Sequence, residues 1–172
     1  MHTHQTTLRE IDRGPLAEAL AMLPPKMTSL KARAQLLKTT LQESKGIYRR
    51  QHNNGPARGL WQFELGALHG RDRKGNEWGL LVHPATKTHA VSLAMRRGVD
   101  PTPLAIYRAL EHDDVLAAGM ARLNYWWVSA PLPDIHDREG SWHYYNDTWN
   151  PGKPHPSTWP LYHGEVVRYL ST

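Results

Sequence analysis

The sequence of 172 residues contains no cysteine. A disulfide framework, a thiolate metal site and a cysteine nucleophile are therefore excluded, and packing must stabilise the fold. The chain also lacks any apolar run near the ~20 residues that a membrane-spanning helix needs. Its polar first residues do not form the apolar region of a secretory signal. We therefore expect no membrane span, synthesis in the cytoplasm, and a separate route of delivery if the protein acts outside the cell.

Phenylalanine is scarce, whereas other aromatic and basic residues are plentiful. Phenylalanine occurs once, and tryptophan and tyrosine occur seven times each. Tryptophan and tyrosine combine an apolar face with a polar edge, which suits stacking on a sugar ring or on a nucleic-acid base. The 21 Lys and Arg residues against 16 Asp and Glu give a net charge of +5, which is compatible with a polyanionic partner. Because these charges are scattered along the chain, an ordinary solvated surface explains them equally well.

Hydrophobic spacing predicts a single, mainly α domain with a small β-hairpin. We expect residues 1–25 to form an N-terminal arm or peripheral helix and residues 26–172 to form the main domain. Thr28 or Ser29 should cap a helix that ends near Gly46, and Ser141 should cap a later one. The glycine-rich residues 45–83 predict loops and the hairpin. The helices are expected over residues 8–23, 29–46, 85–97, 103–110, 115–127, 142–149 and 161–170, with Asp113 or Asp114 as the cap of the fifth.

Glu43 is an oddly placed acid. It follows Leu36 and Thr40 on one stripe of the predicted helix, in the last turn, where the helix dipole does not favour a negative charge. Glycoside cleavage needs a carboxylic acid that stays protonated near neutral pH. Burial against Leu36 and near Trp61 would raise the pKa of Glu43 in this way. The alternative is an ordinary exposed glutamate at a helix end.

The order of motifs around Glu43 resembles a known family. Gln42-Glu43-Ser44 is followed by a glycine-rich loop and by the turn Gly59-Leu60-Trp61-Gln62. This order is similar to the lysozyme-like superfamily, specifically the soluble lytic transglycosylases and their bacteriophage relatives. In that family a Glu-Ser pair ends a helix and a Gly-Leu-Met-Gln turn forms the facing wall of the cleft. Here Trp61 replaces the methionine, and residues 142–160 resemble the C-terminal signature of phage-encoded members.

The resemblance covers about residues 29–160 and implies a lysozyme-like α+β fold acting on bacterial peptidoglycan without cofactor or metal. It implies Glu43 as the catalytic acid and base. The family also has a late Tyr-Asn pair near the acid, followed by Ala-Gly. Tyr145-Asn146 matches the pair but is followed by Asp147-Thr148, and Asn124-Tyr125 offers the pair in reversed order. Substrate-binding residues are expected at Ser44, Trp61, Gln62, Glu64, Trp126, Tyr145 and Asn146.

Tyr145 also has a simpler interpretation, because it shares a helix face with Trp142 and Trp149 and could pack with them in the core. The second carboxylate of a hydrolase is similarly open. No acid lies between Glu43 and Glu64, and this favours a transglycosylase, in which one carboxylate acts first as acid and then as base. For a hydrolase the candidate second carboxylates are Glu64, Asp72 and Glu77.

Other chemistries lack their motifs. The 11 histidines form no metal-binding pattern, and neither a G-x-S-x-G elbow nor a phosphate-binding loop occurs. We therefore expect a phage enzyme that cleaves the β-1,4 bond between N-acetylmuramic acid and N-acetylglucosamine. It would act at the cell wall, carried in a virion or released through a holin pore, and the N-terminal arm could contact other virion proteins. The alternatives are a non-catalytic virion protein with this fold and a basic nucleic-acid-binding protein.

Overall fold

Helices build most of the protein, and a short hairpin is its only sheet within the described residues. The structure, a computed structural model, describes residues 4–172. The α-helices are α1 Gln5–Ile11, α2 Ala17–Met22, α3 Leu30–Ser44, α4 Leu65–Leu68, α5 Lys87–Arg96, α6 Pro103–Ala109, α7 Asp114–Trp126, α8 Arg138–Trp149 and α9 Trp159–Leu170. Strands β1 Gly70–Arg71 and β2 Glu77–Trp78 pair antiparallel. The mainly helical class and the small hairpin are thus confirmed, and no helix among residues 4–172 is both long and apolar enough to cross a membrane.

The N-terminal helices belong to the core. A π-helical turn over Asp12–Leu16 joins α1 to α2, with a bend at Gly14 (φ −98°, ψ −107°). Leu8 and Leu16 are fully buried, and the segment packs against α7 and α9. The prediction of a peripheral arm is therefore wrong for the described part of residues 1–25. The apolar face of this segment covers the neighbouring helices instead.

An ion pair between the buried Asp12 and the partly exposed Arg33 fixes this N-terminal segment to the rest of the fold. The Asp12 carboxylate accepts two hydrogen bonds from the Arg33 guanidinium, at 2.9 and 2.6 Å. It also accepts one from the Tyr169 hydroxyl at 2.8 Å. Because Asp12 is buried, these bonds replace the water that the carboxylate loses on folding.

Helix α3 is the central helix and begins and ends as the sequence predicts. The Ser29 side chain accepts a hydrogen bond from the amide of Ala32 at 3.0 Å, and Lys45 ends the helix in the left-handed conformation (φ 57°). Leu37 and Leu41 are fully buried, as expected. Leu30 is half exposed instead, because it lies in the first turn at the edge of the core.

Helix α7 is buried over most of its length. The Asp113 side chain caps it by accepting a hydrogen bond from the amide of Leu116 at 3.0 Å. Gly119 allows close contact with α5, because a Cβ atom there would lie 2.1 Å from Leu93 Cδ2.

Helix α8 starts four residues earlier than the sequence predicts. Asp137, rather than Ser141, caps it, and its carboxylate accepts a hydrogen bond from the amide of Gly140 at 2.8 Å. The Ser141 hydroxyl instead donates to the carbonyl of Arg138 at 3.0 Å inside the helix. A carboxylate stabilises a helix start both as a hydrogen-bond acceptor and as a negative charge.

Candidate active site

A long cleft of about 1370 Å³ crosses one side of the protein. Its walls come from the end of α3, from residues 48–64, from β2, from the last turn of α7 and from residues 145–158. Glu43, Gln62, Glu64 and Tyr145, all predicted site residues, line this cleft. The fold therefore brings together side chains that lie up to a hundred positions apart in the chain.

Glu43 has the properties expected of a proton donor near neutral pH. Burial raises its pKa from the ordinary value of 4.5 to about 7, and the negative charge of Glu64 acts in the same direction. A hydrogen bond that the Tyr145 hydroxyl donates to Glu43 Oε1 opposes this rise. A carboxyl group with a pKa near 7 can donate a proton and also accept one at neutral pH.

Tyr145 packs among aromatic side chains and also contacts Glu43. Its ring is buried and stacks on Trp159, with ring centroids 5.1 Å apart and planes 15° apart, and Trp142 lies 5.5 Å away. Only the hydroxyl reaches Glu43. Burial and the nearby charge of Glu43 raise the pKa of Tyr145, so the hydroxyl stays protonated and acts as a donor.

Ser44 holds the facing turn in place instead of binding in the cleft through its hydroxyl. The hydroxyls of Ser44 and Thr40 both donate to the carbonyl of Leu60, at 2.6 and 2.9 Å. The end of α3 is thereby tied directly to the turn at residues 59–62, so the position of Glu43 relative to that turn is fixed by two short bonds.

Trp61 belongs to the core, and its predicted role in substrate binding is wrong. Its side chain is fully buried, and its indole N–H donates to the carbonyl of Leu36 at 2.9 Å. The indole N–H of Trp149 in turn donates to the carbonyl of Trp61 at 2.8 Å and links the same turn to α8. The indole ring of Trp61 thus fills the space behind the turn.

Gln62 presents its side chain to the cleft from a strained turn. It has a positive φ of 53°, and its side-chain amide donates to the carbonyl of Gly59 at 2.9 Å. Gly59 has a φ of 79°, and a Cβ atom there would lie 2.8 Å from the carbonyl oxygen of Leu110. Only glycine fits this position without a shift in the backbone.

Two further predicted residues, Trp126 and Asn146, do not line the cleft. Trp126 lies between Lys26 and Arg122, whose cationic groups are 5.5 and 5.4 Å from its ring centroid. The Asn146 side-chain oxygen is buried without a hydrogen-bond partner. Of the predicted Tyr-Asn pair on α8, only Tyr145 therefore lines the cleft.

Three residues that were not among the predicted substrate-binding residues also line the cleft. Trp127, Asn124 and Trp78 all line it. Asn124, in the last turn of α7, and Trp127, its C-cap residue, lie three positions apart, so they lie on the same side of the helix end. That spacing was the available signal, whereas nothing in the sequence showed that the hairpin would bring Trp78 to them.

Of the three candidates for a second carboxylate, only Glu64 lines the cleft. Asp72 closes the hairpin turn by accepting hydrogen bonds from the backbone amides of Lys74 and Asn76, and Glu77 contacts a histidine at 3.2 Å on the exposed strand. Asp147, which was not among these three candidates, also lines the cleft.

The cleft contains as many Lys and Arg residues as Asp and Glu residues. Lys45, Arg50 and Lys153 lie among its lining residues, and so do three acids, Glu43, Glu64 and Asp147. Among residues 4–172 no group of three or more His, Asp or Glu side chains is placed to hold a metal ion.

Comparison with known proteins gave no match: no family model, no curated protein and no solved structure matched the chain.

Proposed function

We propose that this protein is a peptidoglycan-cleaving enzyme with a lysozyme-like fold, in which Glu43 is the general acid. The observation that carries the proposal is the Glu43 carboxyl group in the wall of an open cleft, with a pKa of about 7 and a hydrogen bond from Tyr145. The motifs that surround Glu43 in the sequence resemble those of lytic transglycosylases, and they support the choice of substrate.

In the transglycosylase reaction one carboxyl group serves both steps. Protonated Glu43 donates its proton to the glycosidic oxygen as the bond from that oxygen to the anomeric carbon of N-acetylmuramic acid breaks. The resulting carboxylate then removes the proton of the muramyl 6-hydroxyl as this oxygen bonds to the anomeric carbon, which gives a 1,6-anhydro end. The Tyr145 hydroxyl stabilises the carboxylate between the two steps.

The cleft suits a polymer better than a small molecule. Its volume of about 1370 Å³ exceeds the ~300–1,000 Å³ of ordinary ligand pockets. Arg50 in its wall is already paired with Glu111 at 2.8 Å, which leaves Lys45 and Lys153 as cations for the carboxylates of a cell-wall glycan.

A hydrolase is the second candidate, and Glu64 is the observation that favours it. Glu64 lines the same cleft and lies close enough for its charge to raise the pKa of Glu43. Glu64 would then act as the base that activates a water molecule, or as a nucleophile.

The other two interpretations have less support. A non-catalytic virion protein does not need a carboxyl group with a raised pKa in an open cleft. A nucleic-acid-binding protein needs a surface with excess positive charge, and in the cleft the Lys and Arg residues are matched in number by Asp and Glu residues. For delivery to the cell wall we propose transport in a virion or release through a holin pore.

Mass spectrometry of digested peptidoglycan tests the proposal. Purified peptidoglycan is incubated with the wild type, with Glu43→Gln and with Glu10→Gln, an exposed carboxylate outside the cleft that serves as a matched control. We expect 1,6-anhydro ends from the wild type and the control, and none from Glu43→Gln. Reducing ends would instead establish hydrolysis and direct attention to Glu64→Gln. No cleavage by folded wild type would contradict the proposed function.

A further inference from the structure

Two tryptophans from distant parts of the chain contact each other in the wall of the cleft. Trp78 on β2 and Trp127 at the end of α7 have ring centroids 4.5 Å apart and planes 36° apart. His83 contacts the edge of Trp127, with centroids 5.2 Å apart. Trp78 nevertheless keeps 47% of its surface exposed, although tryptophan is highly buried on average. Trp127 packs against part of the Trp78 ring, and the exposed part of the ring is available to a ligand.

A polar side chain lies beside this aromatic pair. Asn124 is one helical turn before Trp127 and faces the same cleft, although only 5% of it is exposed. Among the described residues no hydrogen bond involves its side-chain amide, and neither amide atom is sealed from solvent. A ligand that excludes solvent from this amide must supply its hydrogen bonds, because an amide left buried without a partner is costly.

We propose that Asn124, Trp127 and Trp78 form a subsite for a pyranose ring that carries an acetamido group. This inference rests on the proposed function and adds a binding residue set that is separate from the acid Glu43. The C–H face of the sugar would lie on the exposed part of the Trp78 ring. The amide of Asn124, which has both a donor and an acceptor, would pair with the N–H and C=O of the acetamido group.

The two components of the subsite have different selectivities. An aromatic face accepts any pyranose ring, since it contacts the apolar C–H groups that all such rings present. An amide inside a nearly buried site favours the ligand that satisfies it, because a ligand without the matching group leaves the amide unpaired. The aromatic pair should therefore supply affinity, and Asn124 should supply the preference for acetamido sugars.

Calorimetric binding of two trisaccharides tests this division. The protein carries Glu43→Gln to prevent cleavage, and the ligands are the trimer of N-acetylglucosamine and the glucose trimer, which lacks acetamido groups. Trp78→Ala should weaken binding of both trimers by about tenfold. Asn124→Ala should weaken binding of the acetamido trimer alone, by about five- to tenfold, and so remove the preference. Met95→Ala, which removes an exposed apolar side chain outside the cleft, should change neither.

The binding measurements test the subsite, and they do so independently of the proposed catalytic function. Unchanged affinities in folded Trp78→Ala and Asn124→Ala would overturn the subsite, and so would the absence of trimer binding to folded Glu43→Gln at millimolar ligand. If Asn124→Ala fails to fold, Asn124→Asp replaces it, because it has the same size and lacks the donor. Peptidoglycan cleavage by the wild type, measured in parallel, reports on the function of Glu43 whatever the trimers do.

Discussion

Replacing Glu43 by glutamine should stabilise the protein in alkaline solution and leave its stability in acid unchanged. The pKa of Glu43 is about 7 in the folded protein and 4.5 without the effects of the fold. Below both values the carboxyl group is protonated whether the chain is folded or unfolded. Between them the unfolded chain has released the proton while the folded protein keeps it, so stability falls as the pH rises. Above about pH 7 the full cost of the buried charge is present.

The size of this cost follows from the pKa difference. A tenfold change in an acid dissociation constant corresponds to about 1.4 kcal/mol, so the charged form of Glu43 lowers the free energy of unfolding by about 3 kcal/mol. Glutamine keeps an oxygen that accepts the hydrogen bond from Tyr145 and carries no charge. For a chain of this length, ~3 kcal/mol corresponds to a rise in Tm of roughly 6–12 °C.

Thermal unfolding followed by circular dichroism at about pH 4 and about pH 8 measures the effect. We expect Glu43→Gln and the wild type to unfold at the same temperature in acid and to differ in alkaline solution. Glu10→Gln controls for the general effect of removing a negative charge. An equal difference at both pH values, or a less stable Glu43→Gln at the higher pH, would refute the reasoning that burial holds this carboxyl group in its protonated form.

Three further substitutions test other parts of the structure. Tyr145→Phe removes the hydrogen bond that lowers the pKa of Glu43. The titration midpoint of the Glu43 carboxyl carbon, followed by NMR, should therefore move to higher pH. An unchanged or lower midpoint would contradict this hydrogen bond. Gly59→Ala should destabilise the fold by more than about 2 kcal/mol in urea unfolding, because of its φ of 79° and the Leu110 carbonyl 2.8 Å from the new Cβ; a neutral effect would show that the turn can relax. Ser29→Ala should cost about 1 kcal/mol in the same assay through the loss of a helix cap, and no loss would mean that water replaces the serine oxygen.

The helices could be predicted from the sequence because their signals are local. Apolar spacing of three and four, together with capping residues such as Ser29 and Asp113, depends on neighbours within one or two turns. The start of α8 shows the limit of this reasoning. Ser141 and Asp137 both resemble caps, and the choice depends on where Tyr145 and Trp142 must pack against α9.

The candidate site was predictable only in part, because long-range packing decides which side chains line the cleft and which are buried in the core. Glu43 and Gln62 carry local signals, a helix end and a glycine turn, and both line the cleft. Tryptophan carries no such signal, since it serves equally in a core and on a binding surface. Trp61 is in the core and Trp78 is in the cleft, and this difference depends on the position of the hairpin relative to α7.

The turn opposite Glu43 makes the formation of the site an all-or-none event. Hydrogen bonds from α3 reach the carbonyl of Leu60, and a bond from α8 reaches the carbonyl of Trp61. The turn therefore has its final geometry only when both helices are already docked. Partly folded chains should have neither the acid nor the wall that faces it in position. We therefore expect the Glu43 carboxyl group and the turn that faces it to reach their positions in the same cooperative step of folding.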